Sequence, residues 1–351
     1  MAPTWKRLLF FEFPLAALAL AAIAQTLSWS LSDVPMRRNR TDELALVVLQ
    51  DRTNYRLIVL ADSVTRNATA RYSLGKPGDV ANLAAHAYFG MAGELFLLQR
   101  YLRVHNAPEY VVIAFAPGMY HGASTSRLVR YYLWHTFRRP EERDFLDTYQ
   151  QELGQRDWLP AIVDAQERIV EPLFSVMKQR YLAFRKAPPD RIAAGPIDPD
   201  PDARADASMP ADPVAIATAI SEASQTIPTA MNAAALRRIC ELSEQYGFRI
   251  KLAWPPMAEE IASALRARGA LSGLRVQIGL ALGPGCPVDE IFDFNKVRTY
   301  TTSSFYPDLI HLFGDGWEQR YASDLRHYLN ELPGRVPARE AATSPVARPT
   351  L

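Results

Sequence analysis

Two short stretches of the chain hold residue types suited to nucleophilic acyl chemistry. Asp62-Ser63 closes a run of branched apolar residues, and Asp308-Leu309-Ile310-His311 stands near the C-terminus. A serine on a tight strand-to-helix turn exposes its hydroxyl, and the helix start offers backbone N–H groups to a developing oxyanion. A loop histidine removes the serine proton, and an aspartate three residues earlier reaches back to fix the imidazole tautomer. The Asp-x-x-His spacing alone carries little weight, because a second copy, Asp324-Leu325-Arg326-His327, follows it. Periodicity separates the two. Trp317, Tyr321, Leu325 and Tyr328 share one face of a C-terminal helix and His327 falls off it, as a solvated residue with a local charge partner would. His311 instead follows Phe305-Tyr306-Pro307 in a loop and precedes Gly314-Asp315-Gly316, a turn that opens that helix. Ser63, His311 and Asp308 are the candidate catalytic residues.

The elements around them read as an α/β pattern. Arg56 to Ala61 (RLIVLA) and Val111 to Phe115 (VVIAF) have the form of buried parallel strands. Ala81 to His105 carries a helical period between them, so strand, helix, strand implies βαβ units and a parallel sheet. After Asn232 the pattern resumes. A helix spans Ala235 to Tyr246 and ends at Gly247, a strand spans Phe248 to Trp254, and a helix spans Met257 to Arg268. Arg275 to Leu282 (RVQIGLAL) is a further strand expectation, and Gly316 to Leu329 is the last helix. In open parallel sheets, sites form at the carboxyl ends of strands, where Ser63 falls.

The rest of the chain divides by composition. Residues 1–35 contain an apolar run from Leu8 to Leu31, interrupted by Glu12 and Gln25, long enough to cross a hydrocarbon core of about 30 Å. An uncleaved anchor is the expectation. A cleaved signal peptide is the competitor, because Ala22-Ile23-Ala24 has the small-x-small form. Lys6 and Arg7 precede the run and Arg37, Arg38 and Arg40 follow it, and the positive-inside rule would by itself leave the main domain in the cytoplasm. Residues 36–332 form the α/β domain. It is broken by a helical insertion at about 124–186, rich in aromatic and charged residues, and by a Pro/Asp-rich linker at 187–213 that buries too little apolar surface to order itself. Residues 333–351 read as a disordered tail.

Composition excludes several classes. A hydrophobic content of 48% and a charged content of 22% are those of a globular chain. A formal charge of +1 argues against general nucleic-acid binding, which draws on clustered positive charge. There is no P-loop, no G-x-G-x-x-G after the first strand and no H-E-x-x-H, so neither metal nor cofactor is expected. Two cysteines, Cys240 and Cys286, either pair in an oxidising compartment or remain as buried thiols.

Leu57-Ile58-Val59-Leu60-Ala61-Asp62-Ser63-Val64-Thr65 resembles the nucleophile block of the SGNH/GDSL-type hydrolases, and Asp308-Leu309-Ile310-His311-Leu312 resembles their last block, which supplies Asp and His. The order along the chain agrees, and the resemblance covers the roughly 200 residues of α/β core. It implies an SGNH-like (flavodoxin-like) parallel sheet flanked by helices. The middle blocks depart from the family pattern. Asn82-Leu83-Ala84 resembles the second block only if Gly90 stands for its glycine. Phe115-Ala116-Pro117-Gly118-Met119 lacks the asparagine of the third, which leaves the Ser63 N–H as the clear oxyanion donor. Asp62, Asn82 and Gly90 thus mark the substrate or oxyanion region.

An N-terminal anchor joined to an SGNH core without the Asn block is similar to the membrane-tethered acyltransferase branch, which includes proteins of alginate O-acetylation and of D-alanyl transfer to teichoic acid. That likeness implies a single-pass protein of the bacterial inner membrane with a periplasmic or extracellular domain. Its serine would move an acyl group, an acetyl in the first expectation, from a donor to a polysaccharide acceptor, beside a multispanning membrane-bound O-acyltransferase. An SGNH-type esterase and a non-catalytic accessory protein are the alternatives. Among secondary candidates, Asp62 is expected to cap the helix after Ser63 and Arg66 to form a surface ion pair. His86 and His121 are structural histidines unless they line the site, and the Asn67-Ala68-Thr69 sequon is without consequence in a bacterial chain.

Overall fold

The structure is a computed structural model. It describes residues 53–69, 79–85, 90–120, 139–150, 212–223, 229–288, 290–306 and 311–332, with isolated positions at 11–16, 18–19, 22–23, 48–49, 74, 133, 136–137, 153 and 309. Five parallel strands form one sheet in the order β2-β1-β3-β4-β5: β1 Leu57–Ala61, β2 Val80–Asn82, β3 Tyr110–Ala114, β4 Arg249–Trp254 and β5 Ile291–Asp293. This is the flavodoxin-like strand order, in which the chain reverses its winding direction between β1 and β3. Every residue of β1 and β3 is buried, so both faces of the central strands are covered. That is why these strands read as continuous apolar runs rather than as alternating ones.

Among the described residues nine α-helices accompany the sheet: α1 Ser63–Thr69, α2 Gly90–Val104, α3 Pro140–Thr148, α4 Pro213–Ala223, α5 Ala230–Tyr246, α6 Glu259–Ala267, α7 Ala270–Leu282, α8 Phe294–Val297 and α9 Asp315–Glu331. Helix α1 packs on α9, while α2, α5 and α7 pack in series and α6 meets both α4 and α7. Helix α5 is bounded as its sequence dictates. The Thr229 hydroxyl accepts from the Asn232 N–H, and Gly247 ends the helix with a left-handed φ of 76°.

Two sequence expectations are corrected. Arg275–Leu282 is helical and belongs to α7. Val276, Ile278, Leu280 and Leu282 alternate as in a strand, but the helix buries Ile278 and Leu282 and exposes Val276 and Leu280. The buried set Ala270, Leu274, Ile278 and Ala281 has the helical spacing, visible only in a window that starts at Ala270. The fifth strand is instead Ile291–Asp293. Next, the helical reading of Ala81–His105 starts too early. Val80–Asn82 is a strand, and Leu83 and Ala85 still donate to Val59 O and Ala61 O, so the chain keeps beside β1 through Ala85, and the helix begins at Gly90. Most of the 187–213 linker lies outside the described residues, and α4 begins at its last residue, Pro213, whose missing N–H costs nothing in a first turn, with the Asp212 carboxylate accepting from Val214 N.

The expected anchor within residues 1–35 falls almost wholly outside the described residues, among which no helix is long and apolar enough to cross a membrane. The insertion is described only around α3. There Arg100 of α2 makes a buried two-pronged ion pair with Glu142, at 2.7 and 2.9 Å, and also donates to Thr136 O. A pair this dry contributes orientation more than net stability, and it fixes the start of the insertion on α2. The tail at 333–351 lies outside the described residues. Cys240 of α5 and Cys286, just after α7, form a disulfide with Cα atoms 5.8 Å apart.

Candidate active site

Strand β1 delivers Asp62 and Ser63 to its carboxyl end, beside the end of β3, where the winding reverses. The Asp62 carboxylate fixes the turn between strand and helix. Its Oδ1 accepts from the N–H groups of Val64 (3.1 Å) and Thr65 (3.5 Å), and its Oδ2 accepts from Ala116 N (2.8 Å), the second residue past β3. One side chain therefore caps α1 and ties the two strand ends that flank the crevice. Burial pushes the Asp62 carboxyl up from its ordinary range, opposed by these three N–H donors and by the nearby His311.

Helix α1 is held from behind. Thr65 Oγ1 and the Tyr321 hydroxyl share a buried hydrogen bond of 2.9 Å, which links the serine's helix to the core face of α9. Burial pushes the Tyr321 phenol well up, so it remains a neutral partner at every ordinary pH. Sequence periodicity places Tyr321 on the buried face of the helix and gives no sign of this second role.

His311 arrives from the other end of the domain on a narrow hairpin. Phe305 and Leu312 form an antiparallel bridge, Tyr306 N donates to His311 O at 2.8 Å, and Phe313 N donates to Ser304 O at 2.7 Å. At the tip, Leu309 takes a left-handed φ of 54°, and its N–H donates to Tyr306 O at 2.9 Å. A leucine in that region costs about 1–2 kcal/mol, and the buried Leu309 side chain offsets it. The result is that His311 Nε2 lies 2.9 Å from Ser63 Oγ, across 248 positions of sequence. The serine donates when Nε2 is the unprotonated nitrogen, which is the geometry a general base requires. Ser63 is 3% exposed and the imidazole is the more open member of the pair.

The other sequence candidates fall as follows. Asp308 lies outside the described residues, as do His86 and His121. Asn82 ends β2 and turns to its own neighbourhood: Oδ1 accepts from Ala84 N at 3.1 Å, and Nδ2 donates to Thr69 Oγ1 at 2.8 Å. Gly90 opens α2 with a left-handed φ of 52°, and a Cβ there would sit 3.3 Å from Asn232 Oδ1. Arg66 is not the surface residue expected. It is buried, and its guanidinium donates to Asn67 Oδ1 at 3.2 and 3.1 Å, because α1 lies under α9 rather than at the surface. Where the family pattern puts an asparagine after the third block's strand, this chain has a 3₁₀ turn, Pro117–Tyr120, and the preceding Ala116 N–H is taken by Asp62. Among the described residues no group of His, Cys, Asp and Glu could hold a metal ion.

Sequence reasoning passed over Glu94, a fully buried acid on α2 that lies within electrostatic reach of Asp62. The signal was present: one carboxylate stands in an otherwise apolar stretch, MAGELFLL. Comparison with protein-family models and with curated proteins finds no match to this chain.

Proposed function

We propose that this chain is a membrane-anchored, extracytoplasmic serine O-acyltransferase that passes an acyl group, an acetyl in the simplest case, to a cell-surface or exported polysaccharide. The observation that carries the reading is the 2.9 Å contact between His311 Nε2 and Ser63 Oγ at the carboxyl end of a parallel sheet. His311 takes the hydroxyl proton as Ser63 Oγ attacks the acyl carbonyl, then returns it to the leaving oxygen of the donor. The acyl-enzyme is resolved in reverse. An acceptor hydroxyl gives its proton to His311 and attacks, and the ester passes to the sugar as Ser63 recovers its proton. Asp308, three residues before the histidine, is the candidate to orient its imidazole, and Asp62 keeps the serine turn in place. The SGNH-like assignment rests on the two end blocks and on the strand order.

The Leu8–Leu31 run supports tethering beside a membrane-supplied donor and a multispanning partner. The Cys240–Cys286 disulfide supports an oxidising compartment, and so a domain outside the cytoplasm despite the arginines that follow the run. No cofactor is needed for this chemistry.

Ser63→Ala decides the matter. The substitution removes one oxygen from a small buried site, so the fold and membrane association are expected to persist while acyl transfer in cells drops by at least about 10³-fold. Full polymer acylation by that variant would end the catalytic reading and favour an accessory protein. Rapid hydrolysis of simple esters by the purified chain, with no polymer modified in cells, would establish an esterase.

A further inference from the structure

Two buried carboxyl groups stand behind the serine turn, and their surroundings differ. Asp62 receives three backbone N–H donors. Glu94, on the second turn of α2, is 1% exposed, and neither of its oxygens has a hydrogen-bond partner. The Ala85 N–H lends it a favourable dipole but is already committed to Ala61 O at 2.9 Å. One turn earlier on the same helix, Gly90 abuts Asn232, which donates to Tyr120 O at 3.0 Å, while Asn232 Oδ1 and the Tyr120 hydroxyl are themselves buried and unbonded. Two dry carboxyls that act on each other electrostatically resist double ionisation, and the one with N–H donors keeps the charge.

We propose that Glu94 carries a proton at neutral pH and acts as a positioning residue, leaving Asp62 as the single ionised acid that holds the Ser63 turn against the end of β3. Among the described residues, the charged side chain acting on Glu94 is Asp62. Helix α5, packed on α2, brings neutral Asn232, and the phenols of Tyr120 and Tyr321, which feel the Asp62 charge, are kept neutral by burial. Burial pushes the Glu94 carboxyl well above its usual range, with Asp62 adding to the shift. A carboxyl whose folded value is raised contributes stability that is complete below its unfolded value and lost as pH rises through the folded one. Alkaline pH therefore sets a second negative charge beside Asp62 and loosens the turn.

The bearing on catalysis rests on the serine reading, but the protonation itself is testable without any activity. In the full-length protein at neutral pH, the infrared spectrum should contain a carboxylic-acid C=O band that Glu94→Gln removes and Asp62→Asn does not. Glutamine reproduces the protonated acid in shape and charge, so wild type and Glu94→Gln should melt together in acid, below the ordinary carboxylate range where both states of the wild type are protonated, and diverge as pH rises from there, the variant being the more stable at neutral pH and persisting to higher pH. If acyl transfer is established, the alkaline limb of kcat/KM should move upward in Glu94→Gln with its neutral value kept. A band that survives Glu94→Gln would assign the proton to Asp62. A Glu94→Gln protein that fails to fold, or melts as low as Glu94→Ala at neutral pH, would show that the ionised form is the native one. Either result overturns the proposal. Failure of acyl transfer alone would count against the serine reading and not against this one.

Discussion

His311 and His327 each follow an aspartate by three residues, and the fold treats them in opposite ways. His311 is fixed by a hairpin whose backbone bonds close on both sides of it, and its Nε2 meets Ser63. His327 stands on the exposed side of α9 with Nε2 3.0 Å from Glu331. It is the solvated residue with a local charge partner that its place on the helix leads one to expect, but that partner is Glu331 and not the preceding aspartate. Asp324 accepts from Arg298 at 2.9 and 3.1 Å and from the Tyr300 hydroxyl at 3.3 Å, and so ties α9 to the segment after β5. Spacing only brings groups within reach. On a helix the tertiary partners choose among the rows of side chains, whereas a strained loop tip can aim one side chain at a distant strand end.

The largest expected effect breaks the symmetry of the pair. His311→Asn should lower acyl transfer by about 10³-fold or more, since it removes the base while leaving the hairpin's backbone bonds intact. His327→Asn should leave the rate unchanged. Equal losses in the two variants, measured on membranes with matched protein levels, would mean that the 2.9 Å contact has no catalytic meaning. Helix α9 does serve the site, through its other face. Tyr321→Phe deletes the hydroxyl that meets Thr65, and it should destabilise the fold by about 1–3 kcal/mol by leaving a buried Thr65 hydroxyl unpaired. Activity should fall several-fold as α1 loosens. An unchanged melting temperature in that variant would separate α1 from α9 as independent parts.

How much of this was legible follows from length and context. Strands β1 and β3 are readable because five residues buried on both faces leave a continuous apolar run, and β4 because its six residues alternate polar and apolar at their start. Strands β2 and β5 have three residues each, too few for any period to show. Helix α7 was misread because its exposed side is apolar at Val276 and Leu280, so alternation outweighed the helical spacing. At the site, Ser63 and His311 announced themselves by type and setting. Glu94 and Tyr321 did not, since their roles depend on which strand end or helix lies opposite, and pairwise tertiary contacts leave no mark on a single sequence. The left-handed Leu309 is the extreme case: nothing in Asp-Leu-Ile-His asks for a positive φ, and the hairpin imposes it.

The smallest expected effect sharpens the comparison from the other side. Glu331→Gln removes the carboxylate facing His327, with both side chains more than half exposed. An exposed i,i+4 pair gains little Coulomb energy in water and is further screened by salt. The stability change should therefore stay below about 0.5 kcal/mol, with activity untouched. Any effect should shrink in high salt. A larger loss in the melting curve, or one that persists undiminished in high salt, would show that α9 needs its C-terminal turn for a reason other than this contact. The His327 copy would then have a structural role that its exposure does not suggest.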